Sequence, residues 1–259
     1  MAMQKPPKYR FLPWVLGSIL ASVTFVLGWP NGIQAQSSQT TTPEAATMSG
    51  NEAFRAAYEN RYTWDEQFPG YSAEVSINYG EESEQGIVRI NPDLSVEVTG
   101  IDKEELRELI ANQFQMEVVH RRRIPFEELH GQKIFEMEGT DESGALKIRE
   151  VDDEMDSHFK VKDNVITQVN RLFGEVAATV DTLETMQTPE GYLVKHFQTT
   201  FRNPETNEVI EKQDVRDVHE KIGNYYLLTE RTIREVTSGN SDEQVAPEMS
   251  VKLDNVQPL

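Results

Sequence analysis

The chain has 259 residues, with 44 acidic against 25 basic side chains, a formal net charge of −19 at pH 7 and no cysteine. That balance repels nucleic acid and anionic membrane surfaces, and the missing thiol excludes disulfides, cysteine–zinc sites, thiol nucleophiles and a lipid-modified N-terminal cysteine. The length fits a single β-rich domain able to bury a sizeable core.

The first 35 residues read as an export address. Lys5, Lys8 and Arg10 precede an apolar run from Phe11 to Pro30, and Ile33-Gln34-Ala35 offers a small residue at which a signal peptidase could cut. The run approaches the roughly 20 apolar residues of a spanning helix. Residues 1–35 are therefore a cleaved signal peptide or a membrane anchor over 11–30, with the helix-breaking Pro30-Asn31-Gly32 favouring cleavage. Residues 36–48 lack large apolar side chains except Met48 and read as a flexible linker, and 49–259 as one domain.

Ser49 with Glu52 three residues on is a capping-box pattern, and Phe54, Ala57, Tyr58 and Tyr62 share one helical face, which predicts a helix ending near Asp65. From Tyr71 the period becomes twofold. Tyr71, Ala73, Val75, Ile77 and Tyr79 alternate with polar residues, a second strand follows around Gly86 to Ile90, and Leu94, Val96 and Val98 mark a third. A second helix is predicted from Asp102, capped with Glu105 and carrying an apolar stripe of Leu106, Leu109, Ile110 and Phe114. Its end is basic, as the helix dipole favours, and Pro125 then opens a short third helix closed by Gly131.

The remainder is strand-rich. Strands are expected near 133–138, 145–151, 158–162, 165–172, 176–183, 192–202, 208–218 and 225–236, with a loop over 238–248 and a last strand from Met249 to Leu253. The sum is an α+β domain: a strongly curved antiparallel sheet of about eleven strands, a half-open barrel whose concave face is covered by two or three helices.

The stretches FRAAYENRYTWDEQFPGYSAEV from Phe54, GIVRINPDLSVEVTGID and FRNPETNEVIEKQDVRDVHEKIGNYYLLTERTIRE resemble uncharacterised cyanobacterial and plastid proteins grouped as domain-of-unknown-function family 3386. The likeness spans residues 50–236. It implies a lineage without an activity, and a periplasmic or thylakoid-lumen address for an exported chain. A fainter architectural likeness, a leading helix and then a meander, is to the periplasmic lipoprotein carrier proteins, without a shared motif.

No catalytic or metal motif is legible. His120, His130, His158, His196 and His219 show no metal spacing, there is no GxSxG, Walker loop or GxGxxG, and no cofactor is implied. Asp152, Asp153, Glu154, Asp156 and His158 lack the glycine and distal glutamate of a calcium loop and read as a solvated turn. The basic run Arg121-Arg122-Arg123 is either an anion or partner patch or a helix end complementing its own dipole.

Phe54, Tyr58, Tyr62, Trp64 and Phe68, with Phe114 on the second helix, are the candidate ligand contacts, set against ordinary core packing, which such aromatics more often serve. Two functions follow. One is an exported, non-catalytic carrier or sensor of an apolar ligand such as a lipid, pigment or quinone. The other is a periplasmic or lumenal assembly factor for photosynthetic membrane complexes, meeting a protein partner through its acidic surface, with a hydrolase a distant third.

Overall fold

The computed structural model describes residues 48–238, 243–245 and 248–259, so the export segment, the linker as far as residue 47 and most of the loop expected over 238–248 lie outside the described residues. From Ser49 to Leu259 the chain forms one compact unit. Its elements in order are α1 (Gly50–Glu59), β1 (Tyr71–Tyr79), β2 (Glu82–Ile90), β3 (Val96–Thr99), α2 (Glu104–Arg121), α3 (Phe126–His130), β4 (Phe135–Thr140), β5 (Leu146–Glu150), β6 (His158–Lys162) and β7 (Val165–Phe173). There follow β8 (Val176–Thr188), β9 (Gly191–Arg202), β10 (Val209–Ile222), β11 (Tyr225–Ser238), β12 (Glu243–Val245) and β13 (Met249–Pro258).

The strands make one antiparallel sheet in the order β3-β2-β1-β13-β11-β10-β9-β8-β7-β6-β5-β4, with β12 beside β11. It is a long meander from β4 to β11 joined to the N-terminal meander by the last strand. β13 pairs with β1 through Val75↔Leu253 and with β11 through Ile233↔Met249. Because β3 and β4 remain as edges, the sheet is not closed. Register shifts at Val218/His219 and around Glu184 insert bulges, which bend and twist the strands that carry them. The strands run longer than the sequence pattern suggests, because β8, β10 and β13 continue through bulges where alternation is lost.

Alternation sets the inside. Tyr71, Ala73, Val75 and Ile77 of β1 are buried while their polar neighbours are not. The helices supply the cover. α1 lays Ala53, Phe54, Ala57 and Tyr58 against Phe135, Ile148, Phe159 and Val161 of β4–β6. α2 buries the predicted stripe of Leu106, Leu109, Ile110 and Phe114 and extends it through Gln113, Glu117, Val118 and Arg121.

Two helix ends differ from the sequence reading. The Ser49 capping box is formed, with Glu52 N donating to Ser49 Oγ at 3.2 Å and Ser49 N to Glu52 Oε2 at 2.8 Å. However, α1 stops at Glu59 instead of near Asp65. Its exit pairs with the start of β9: Tyr192 N donates to Asn60 O and Tyr62 N to Tyr192 O, both at 2.9 Å. Gly191 permits this approach, since its φ is +132° and a Cβ there would lie 2.4 Å from Asn60 O. At α2 the expected Asp102 cap is unused. The N-cap residue is Lys103, and Glu84 of β2 accepts from Asp102 N at 2.9 Å and Lys103 N at 3.3 Å, placing a carboxylate at the positive helix end.

Candidate functional site

The predicted aromatic residues divide into two packed groups. Phe54 stacks on Phe135 at 4.1 Å and lies 4.5 Å from Phe159, while Tyr58 meets Phe126 and His130 edge-on and donates through its hydroxyl to Ile124 O at 2.8 Å. Tyr62, Trp64 and Phe68 instead lie at the start of β11. The Trp64 indole stacks on Phe68 at 4.1 Å and donates to Tyr226 O, and Tyr62 Oη accepts from Tyr226 N at 2.8 Å. Phe114 is buried on α2, apart from Phe54 on its own element. All six are buried.

The basic run is also divided. Arg122 and Arg123 are exposed, and Arg123 Nε donates to Thr63 Oγ1 at 3.0 Å. Arg121 turns inward, pairing with Glu117 at 2.7 Å, and its Nη2 lies 3.3 Å from His219 Nε2 on β10. The acidic stretch 152–158 is a turn: Asp152 and Asp156 take positive φ, and Asp153 Oδ2 accepts from Ser157 N. Among the described residues no group of three or more histidine or acidic side chains could hold a metal ion.

A polar seam under α2 was not foreseen. Arg231 of β11 forms a two-pronged ion pair with Asp217 of β10, at 2.7 and 2.6 Å, and reaches Gln113 Oε1 at 3.2 Å. Burial opposes ionisation of Glu117, but Arg121, His219 and Arg231 outweigh it and hold that carboxyl well below the usual range. The seam thus ties the second helix to two central strands by charge as well as by packing.

Further along the same face, Glu235 of β11 lies opposite Gln213 of β10, whose amide donates to Glu211 at 2.6 Å. Burial, reinforced by the Glu211 charge, pushes the Glu235 carboxyl up to about 7. The folded protein therefore keeps a proton that the unfolded chain has released, and stability falls as pH rises from the ordinary glutamate range through about 7. Glu235→Gln should stabilise the protein by about 2–3 kcal/mol at pH 8 and leave it unchanged at pH 4, measured by urea unfolding. Equal stability of the two proteins at pH 8 would refute the assignment.

Along β7 and β8 the sheet is less completely buried, although Ile166 and Val169 pack against the α1 lobe. All nine residues of β7 are half-buried, and β8 buries only Ala178 fully. On the helix-facing side Val169 pairs with Val180, and Thr182 pairs with Phe197 of β9, all four half-buried. One end of this apolar strip carries polar side chains. Arg171 of β7 pairs with Ala178, and its guanidinium lies 5.9 Å from the centre of the Phe159 ring. Beside it are Ser157 and Glu150, linked through Glu150 N donating to Ser157 O at 2.9 Å, with Lys133 Nζ 2.5 Å from Glu150 Oε1. Separately, a cavity of about 360 Å³ opens on the face away from the helices, lined by Val218, Ile222 and Val256 with Glu220, Glu230 and Lys252 among others; none of the predicted aromatic residues lines it.

Spacing could not have disclosed these groups. Glu150 and Arg171 come from two strands and Ser157 from the residue just before a third, and only the register brings them together. The alternation of Glu211, Gln213, Val215, Asp217 and His219 was present in the sequence, but both faces of β10 are polar and pattern alone does not choose the inside.

Comparison with known proteins gives one strong match. The family described as a protein of unknown function, DUF3386, matches residues 45–258. No curated protein matches the chain. Among solved structures, a DUF1329 family protein from Desulfovibrio piger aligns with 8% identity over 82% of this chain and 94% of that chain, at a TM-score of 0.24. MucB in complex with MucA(peri) aligns with 9% identity over 81% and 98%, at 0.19, and the Pseudomonas aeruginosa MucA/MucB complex with 9% identity over 80% and 96%, at 0.18. Scores this low carry no argument about what the chain does.

Proposed function

The chain belongs to the DUF3386 family, whose description assigns no activity, and from that premise we propose that it is a non-catalytic binding protein, exported from the cytoplasm, which holds an acyl chain or similar apolar group against the helix-facing side of its sheet. The observation that carries this reading is the strip of half-buried apolar residues on β7–β9, Val169, Val180 and Phe197, which begins where Val169 packs against the α1 lobe and continues onto β9. A sheet centre normally buries such residues fully, and a small apolar guest would complete their burial. Export rests on the charged and apolar pattern of residues 1–35. Among the described residues no helix is long and apolar enough to cross a membrane.

The test is Nile red binding. The folded protein should bind the dye with about micromolar affinity. Val180→Glu should weaken binding at least about tenfold by placing a charge on the strip, while thermal unfolding changes little because Val180 is half-buried in the unliganded protein. Undiminished binding by that variant would remove the strip as the site.

A second reading, a periplasmic or lumenal interaction factor, draws on the outward-facing cavity, where Glu220 and Glu230 flank an exposed Val218. It becomes the leading one if the wild-type protein takes up no dye.

A further inference from the structure

The polar end of the strip holds buried atoms that the fold itself does not satisfy. Ser157 is 0% exposed and Glu150 5% exposed, yet Ser157 Oγ and Glu150 Oε2 have no hydrogen-bond partner among the described residues. Native interiors rarely leave such groups unpaired, because each costs its full desolvation. His130 Nδ1, above the neighbouring Phe135, is a third. The three are connected: Phe135 pairs with Glu150 across β4 and β5, and Glu150 is bridged to Lys133, three residues beyond His130.

These atoms lie where a ligand's polar end would have to go. Continuing the register His158↔Asn170 by one residue brings Ser157 beside Arg171, and Arg171↔Ala178 is the next same-face pair after Val169↔Val180. Ala178, itself 3% exposed, is the small residue of that row opposite Arg171. An acyl chain resting on Val169 and Val180 with its end directed along β7 would place its head at Arg171, Ser157 and Glu150.

The chemistry of the unsatisfied atoms selects the head. A carboxylate oxygen lacks a donor, and a serine hydroxyl can both give and accept a hydrogen bond. A bare carboxylate head would face Glu150 as a like charge, and an ester has nothing to donate. A hydroxyl supplies the missing donor to Glu150 and accepts from Ser157. We propose that Glu150 and Ser157 form the head-group end of the site and recognise the free hydroxyl of a neutral, glycerol-type acyl lipid. This inference rests on the acyl-site reading above and specifies its ligand class.

Displacement of Nile red by three oleoyl probes separates the two claims. Monooleoylglycerol should displace the dye at concentrations about tenfold lower than methyl oleate, as one or two hydrogen bonds to buried groups imply, and lower than oleate. Glu150→Gln and Ser157→Ala should each erase most of that preference while leaving displacement by methyl oleate unchanged. Ser157→Ala removes only an unpartnered hydroxyl, so it keeps the test sound if Glu150→Gln perturbs folding through Lys133. Equal potency of monooleoylglycerol and methyl oleate, the pattern of a site whose unsatisfied atoms hold only internal water, or a preference that survives in Ser157→Ala, would overturn the head-group assignment. A preference for oleate would overturn it in favour of a carboxylate read by Arg171. Failure of all three probes to displace bound dye would instead defeat the acyl site itself.

Discussion

Arg231→Leu should lower the unfolding free energy by about 3–5 kcal/mol. The side chain is 6% exposed, and its guanidinium is the partner of Asp217, itself 5% exposed. Removing the cation strands a carboxylate in the interior and also strips Gln113 on α2 of its contact with β11. Burial works against the charge of Arg231, while Asp217 and Glu117 more than restore it, so the guanidinium stays ionised. The double variant Asp217→Leu/Arg231→Leu should recover most of the loss, since replacing a whole buried pair with apolar side chains is often close to neutral. Urea unfolding of the wild type, both single variants and the double variant measures the coupling. Additive losses would mean that the pair does not act as a unit.

Phe54→Ala should cost about 3–5 kcal/mol, the usual range for a buried phenylalanine. Phe54 is 3% exposed and touches rings from four directions, stacked on Phe135, tilted against Phe126 and Phe159, and edge-on to His130. It joins α1 to β4 and β6, so its loss opens a cavity at the centre of that lobe. His130 should register the change: its burial among these rings pushes its pKa down to about 4, and a cavity that admits water would let it rise toward the ordinary histidine value. Both effects are accessible by denaturant titration and by NMR pH titration. A loss below about 1 kcal/mol would show that the lobe closes around the gap.

The strands were legible wherever one face is wet. Tyr71–Tyr79 was predicted to the residue because Ala73, Val75 and Ile77 alternate with Glu74 and Ser76, and only one face can be the inside. The apolar stripe of α2 was legible for the same reason at helical period. The end of α1 was not, because Tyr58 and Tyr62 keep helical spacing although Tyr62 belongs to a contact with Tyr226 that is 164 residues away in sequence. The Asp102 cap failed similarly, since the carboxylate that serves α2 comes from Glu84 on another element. The aromatic candidates are individually buried where the pattern placed apolar residues, yet their division into two groups depends on tertiary packing. Least legible of all were Glu150 and Ser157. One sits in a strand and the other beside an acidic turn, and nothing in either local sequence marks the buried polar atoms that each leaves without a partner.

The central claim is that the half-buried strip on β7–β9 holds an acyl group, and the most direct measurement is mass spectrometry of the organic extract from the protein purified out of its native host, set against the Val180→Glu variant prepared identically. The account predicts an acyl-chain lipid in near-stoichiometric amount with the wild-type protein and its loss from the variant. An extract from the wild type that matches the buffer blank, or the same lipid content in both proteins, would contradict it.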